Sequence, residues 1–96
     1  MKKRFFVYVM SNYTRSVLYV GITNNLSRRH LEHYSQLHVD SFTAKYQVKY
    51  LLYMEEYSNA TEAIQREKQI KGWTREKKIE LIKTINPEKK NLWVEE

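Results

Sequence analysis

Cysteine is missing from this chain, which excludes disulfides and any thiolate metal site and fits a reducing compartment. No apolar run approaches the ~20 residues that a membrane-spanning helix needs. Lys2-Lys3-Arg4 is followed by too short an apolar run for a signal peptide, so a soluble, cytoplasmic protein is expected. Acid is the scarcer charge. Eleven Asp and Glu stand against seventeen Lys and Arg, a net charge of +6 over 96 residues. That balance points to an anionic partner, nucleic acid being the commonest for a soluble basic domain, against the alternative of a basic surface kept for solubility. Glycine occurs twice, at Gly21 and Gly72, and proline once, at Pro87. No repeat, low-complexity segment or linker interrupts the chain, so 1–96 reads as a single domain. Eight tyrosines against three phenylalanines make its core partly polar.

The organising stretch is Leu18 to His33, LYVGITNNLSRRHLEH. It opens as a strand ending at Gly21, whose missing side chain would let a backbone or a phosphate come close. Thr23-Asn24-Asn25 supplies a turn and a helix N-cap. A helical period follows, with Leu26, His30, Tyr34 and Leu37 on one stripe and Arg29 and His33, four apart, at its margin. Upstream, Arg4 to Met10 is apolar on both pleat faces, the pattern of a central strand. With a turn at Asn12 to Arg15, Ser16 to Val20 returns antiparallel. A hairpin symmetric about that turn sets Tyr8 opposite Tyr19 on one face.

Downstream, Gln36 to Lys45, holding His38, Asp40, Ser41 and Thr43, reads as a polar loop suited to substrate contacts. Val48 to Glu55 is a third strand. A second helix starts at Asn59, with Glu62 placed for a capping box, and stops after Lys71 at Gly72, read as a positive-φ terminator. Thr74 caps a third helix carrying Ile79, Leu81, Ile82 and Ile85, which Asn86-Pro87 ends. Leu92 and Trp93 in the polar tail are placed to dock back.

Glu67 is the anomaly. It shares a helix face with Ala63, Ile64 and Ile70, where a carboxylate is costly unless it is paired or binds metal. Lys71, four residues on, offers an ordinary ion pair. A lone carboxylate also suits Mg²⁺, which keeps most of its waters and adds substrate phosphate oxygens. Arg29 and His33 can equally be read as solvated residues, and Tyr8 and Tyr19 as core residues with satisfied hydroxyls. His30 and His38 carry no specific role.

Taken together, Val7-Tyr8 and Tyr19-Val20-Gly21, the tyrosines eleven residues apart, resemble the signature of the GIY-YIG nuclease superfamily. Arg29, His33 and Glu67 (within REKQIKGW) match that family's helix arginine, the histidine one turn later and the metal-binding glutamate. Phe42 to Tyr46 and Asn86-Pro87 resemble its small bacterial UPF0213-type branch, over a core of about 4–92. Two positions depart: Phe6 stands where the signature has Gly, and Lys89 where the branch often has Trp.

The resemblance implies a compact α/β (α+β) domain, a three-stranded antiparallel sheet flanked by helices. It implies phosphodiester cleavage by an endonuclease with one Mg²⁺ or Mn²⁺ held by Glu67. Tyr8 would orient or deprotonate the water with His33 relaying the proton, Tyr19 would hold the phosphate, and Arg29 would neutralise developing charge. A phenol near pKa ~10 needs a neighbouring cation for such work. Gly21, Lys45, Lys71 and Asn86 are further positions expected to meet substrate, DNA in preference to RNA, with no obligate protein partner and no membrane. A catalytically weak nucleic-acid-binding module of the same fold is the second reading, and a protein-interaction domain the third.

Overall fold

The computed structural model describes residues 3–35 and 45–93, with the side chains of 33–35 outside that description. Its elements are β1 (Phe5–Ser11), β2 (Leu18–Thr23), α1 (Leu26–Ser35), β3 (Tyr50–Tyr57), α2 (Ala60–Lys71) and α3 (Arg75–Lys83). The sheet is antiparallel in the order β2-β1-β3. β1 is central, as its two-faced apolar pattern predicts, and its residues from Val7 to Ser11 are buried.

Two cores lie on the two faces. Val7, Val9 and Val20 face α2 and α3, packing with Leu52, Ala63, Ile70 and Ile82. Tyr8, Met10 and Leu51 face the other way, with Val48, Leu26 and Trp93 against them. A bulge in β3 against Val9/Met10 breaks the alternation and sends both Leu52 and Tyr53 into the first core.

The hairpin register corrects the sequence expectation. Tyr8 lies opposite Gly21, and Tyr19 opposite Met10. The pairing is displaced by two residues because the connection is longer than a four-residue turn, running from Asn12 to Val17. An even displacement leaves each side chain on its face, so both tyrosines still point the same way. The loop is built around Asn12, whose side chain accepts from the Val17 N–H at 3.0 Å and donates to Ser16 Oγ at 2.9 Å. Arg15 takes φ 61° there, a left-handed conformation that costs an ordinary residue roughly 1–2 kcal/mol.

Helix caps follow the sequence with one change of cause. Asn25 accepts from Arg28 N, Asn59 from Thr61 N and Glu62 N, and Thr74 from Lys77 N. Gly72 ends α2 with φ −79°, so positive φ is not why a glycine stands there. Of the apolar helix residues, Ile64 and Ile85 are 44% and 56% exposed, whereas Ile82 is buried. The tail docks back through its backbone: Leu92 N donates to Leu51 O at 2.7 Å, and the Trp93 ring stacks on His30 with centroids 4.2 Å apart. His30 thus holds the tail. The predicted loop, with His38, Asp40, Ser41 and Thr43, lies outside the described residues apart from Lys45.

Candidate active site

Tyr8 and Tyr19 lie side by side on one sheet face, ring centroids 6.4 Å apart and planes tilted by 36°. Glycine at 21 is what permits this. A Cβ there would fall on the Tyr8 hydroxyl and 2.5 Å from its Cζ, so the phenol fills the volume the glycine leaves open. Gly21 therefore receives a tyrosine ring from the neighbouring strand, not the approaching backbone or phosphate that the sequence suggested. Tyr8 is 2% exposed. Tyr19 is half-buried on the edge strand β2 and is the one of the two that solvent reaches.

Arg29 belongs to α1, which Asn25 caps and whose Leu26 packs into the tyrosine face. Its Nη1 lies 3.5 Å from Glu32 Oε1, while its buried Nε has no hydrogen-bond partner among the described residues. His33 is one turn further along the same helix, its side chain outside the described residues.

Glu67 occupies the other side of the sheet, on α2, with its side chain 14% exposed and Oε2 2.9 Å from Lys71 Nζ. The two sides meet around the edge of β2. Lys71 and Lys78 line a hollow of about 260 Å³ with Leu18, Tyr19 and Val20. Lys71 thus joins the Glu67 carboxylate to the margin of Tyr19. As a metal ligand Glu67 fits Mg²⁺ in kind, a single, largely buried carboxylate whose one ion pair among the described residues is with Lys71; no group of three or more acidic, His or Cys residues able to hold a metal lies among those described.

The remaining predicted positions disperse. Lys45 is exposed, its ammonium 5.4 Å from the Tyr46 ring centroid. Asn86 is buried and clamps backbone, donating to Leu52 O at 3.0 Å and Lys90 O at 2.7 Å while accepting from Lys90 N at 2.9 Å. Phe6 pairs with Thr23 and lines a hollow of about 540 Å³ with Arg4, Asn24 and Ser27.

The strongest polar cluster is one that sequence periodicity does not mark. Glu55 on β3 accepts from Arg66 Nε at 2.9 Å and Nη2 at 2.9 Å, from the Tyr57 hydroxyl at 2.6 Å, and from the Tyr53 hydroxyl. Burial pushes its carboxyl up, but the hydrogen bonds from Arg66, Tyr53 and Tyr57 outweigh this and hold it below the ordinary value. Burial first, then the bond to Glu55, raises both the Tyr53 and the Tyr57 phenols. Arg66 also lies 5.1 Å from the Trp73 ring centroid. With every charge answered, the cluster is a brace between β3 and α2. The alternation Tyr53, Glu55, Tyr57 is the one local sign of it.

A family profile described as the GIY-YIG catalytic domain matches residues 4–80. The chain belongs to the GIY-YIG family. Membership implies nuclease activity, a hydrolysis of nucleic acid for which the family generally uses divalent metal ions. The chain is 35% identical over 78 residues to UPF0213 proteins of Staphylococcus aureus strains Mu3 and N315, a match covering 81% of this chain and 93% of theirs. It therefore sits in the small UPF0213-type branch. The solution NMR structure of a UPF0213 protein from Bacillus halodurans is similar in fold, with a TM-score of 0.57, 23% identity and 92% of each chain covered. Among the described residues no helix is long and apolar enough to cross a membrane.

Proposed function

We propose that this GIY-YIG domain is a divalent-metal-dependent endonuclease that hydrolyses phosphodiester bonds, of DNA in preference to RNA, in a single active site at the β2 edge. The observation that carries the reading is the Tyr8–Gly21–Tyr19 arrangement. A glycine is kept beneath a buried phenol, and a second phenol stands beside it at the sheet margin. The buried phenol takes the space over Gly21, and the second phenol is held beside it on the edge strand, within reach of solvent.

Burial sorts the roles. Tyr8, almost wholly enclosed, orients its neighbour from below. Tyr19, on the accessible edge beside Lys71 and Lys78, is the phenol that meets the attacking water or the scissile phosphate. This moves the water-activating role assigned to Tyr8 outward by one side chain. Arg29, whose side chain is 30% exposed, neutralises charge on the phosphoryl oxygens. His33 relays a proton. Glu67 holds Mg²⁺ or Mn²⁺, which when bound polarises the phosphate. Lys71 releases the carboxylate and turns to the substrate, and Lys45 adds a phosphate contact. Asn86 acts through the fold, positioning the C-terminal turn.

Replacing Glu67 tests this. Lys71 is 54% exposed and can be solvated if its partner is lost. Glu67→Gln should therefore change stability by no more than about 0.5 kcal/mol, abolish Mg²⁺-dependent cleavage and leave metal-free binding intact. A thermal melt and a cleavage assay on one preparation give the answer. Unchanged Mg²⁺-dependent cleavage would retire the metal role of Glu67, whereas binding without cleavage by the parent chain would favour the non-cleaving binding module.

A further inference from the structure

The β1–β2 loop is ordered at the cost of a left-handed arginine, yet its most prominent residue faces water. Tyr13 is 77% exposed. It is not loose: its ring meets Tyr50 edge-on with centroids 6.0 Å apart, and its carbonyl is held by Arg15 Nη1 at 2.6 Å. Arg15 also donates from Nε to Lys89 O at 3.0 Å and lies 4.8 Å from the Tyr50 ring centroid. Arg75, at the start of α3, grips the loop from outside, Nη2 on Arg15 O at 2.6 Å and Nη1 on Ser16 O at 2.9 Å.

All of these acceptors are neutral carbonyls. Neither guanidinium, nor the Lys89 ammonium, has a carboxylate within ion-pair distance among the described residues. Arg15 and Lys89 thus line one hollow with the exposed Tyr13, and Arg75 grips the backbone of the same loop, none of the three with a carboxylate partner among the described residues. Glu88 is the one acid lining that hollow of about 340 Å³, and it is taken up by Lys90, 3.6 Å away. The patch is also continuous with the active site. Arg75 and Lys78 are three apart on α3 and so are neighbours on its surface, and Lys78 shares the Tyr19 hollow with Lys71. A basic track therefore leads from Tyr19 over the hairpin loop to Tyr13.

We propose that Tyr13 is a stacking platform for an unpaired base, with Arg15, Arg75 and Lys89 holding the adjoining phosphates. The substrate class that follows is nucleic acid with single-stranded nucleotides next to the scissile bond. A flat exposed ring takes a base only when that base is free of its duplex, and stacking with cationic backbone contacts is how single strands are held without sequence readout. This deepens the nuclease reading and rests on it for the position of the scissile bond.

The test is binding in EDTA, so that no cleavage is needed. Labelled oligonucleotides are titrated as a single strand, as the blunt duplex of the same sequence, and as that duplex with a single-stranded flap. Tyr13→Ala should weaken single-strand and flap binding about 5-fold to 100-fold and leave the duplex within two-fold, with an unaltered melt. Tyr13→Leu, which keeps bulk without a planar ring, should weaken binding as Ala does, whereas Tyr13→Phe should retain it. Lys89→Gln should lower the slope of log K against log salt by roughly 0.7. Undiminished single-strand binding by Tyr13→Ala, an equal loss on the blunt duplex, or failure of the parent chain to bind any probe at low salt would each overturn the proposal. The nuclease reading falls separately, if the parent shows no Mg²⁺-dependent cleavage of any of the three probes.

Discussion

Two groups of polar residues in this molecule are treated in opposite ways. Toward α2, Glu55 collects Arg66 and two tyrosine hydroxyls, so that a half-buried charge is answered from three sides. On the tyrosine face the helix arginine keeps a buried N–H unpaired among the described residues, and on the α2 side, around the β2 edge, the Glu67 carboxylate is met by one exposed lysine. Folding alone favours the first arrangement, because a buried polar group without partners costs about 1–3 kcal/mol. Such a cost is tolerated where a ligand completes the set. Saturation marks the Glu55 brace as structural, but the lack of a partner does not by itself mark a site: Trp93 Nε1, in the docked tail, is also buried and unpaired among the described residues.

That contrast is sharpest in a pair of substitutions. Arg29→Ala should cut cleavage by about 10²–10³-fold, the usual size of losing one preorganised oxyanion donor, while moving the melting temperature little. A melt that collapses instead would return Arg29 to the structural side. Glu55→Gln should do the reverse, costing about 2–4 kcal/mol by denaturant titration, since Arg66 is left half-buried against a neutral group, with activity per folded molecule kept.

Gly21→Ala bears on whether the tyrosine face depends on a residue without a side chain at 21. The added Cβ overlaps the Tyr8 phenol, so about 1–3 kcal/mol of overpacking is expected. Adding Tyr8→Ala to the same chain should recover much of that, as measured in a double-mutant cycle.

The brace also predicts a pH signature. Glu55 has a depressed folded value, so its contribution is complete above the ordinary carboxyl value of 4.5 and is lost as pH falls through the folded one. Tyr53 is raised from 10.0, so its contribution holds below pH 10 and is lost as pH rises through its folded value. Melts of the parent chain should decline at both extremes, and the acid decline should be shallower in Glu55→Gln. Smallest of all is Gly72→Ala. Its φ of −79° suits any residue, and a Cβ would meet nothing nearer than Gln69 O at 3.6 Å. The variant should hold its stability or gain up to about 1 kcal/mol, which would confirm that this glycine is not required by backbone geometry.

Local physics alone settled much of the chain. A two-faced apolar run made β1 central, and Asn25, Asn59 and Thr74 started helices where their side chains reach free N–H groups. The period of two kept Tyr8 and Tyr19 on one face although the register was two residues off, because strand alternation survives an even shift. Tertiary structure decided what periodicity cannot encode. Whether Gly21 admits a ligand or the Tyr8 ring depends on what crosses it from the next strand. Which tyrosine meets solvent depends on β2 being an edge and β1 being covered. Glu55 looked like one more strand residue until α2 brought Arg66 across from eleven positions away. The exposed ring of Tyr13 gained its meaning only when Arg75, sixty residues beyond Arg15, closed over the loop. Those contacts join segments distant in sequence, and no local pattern specifies which distant partner a polar side chain will find.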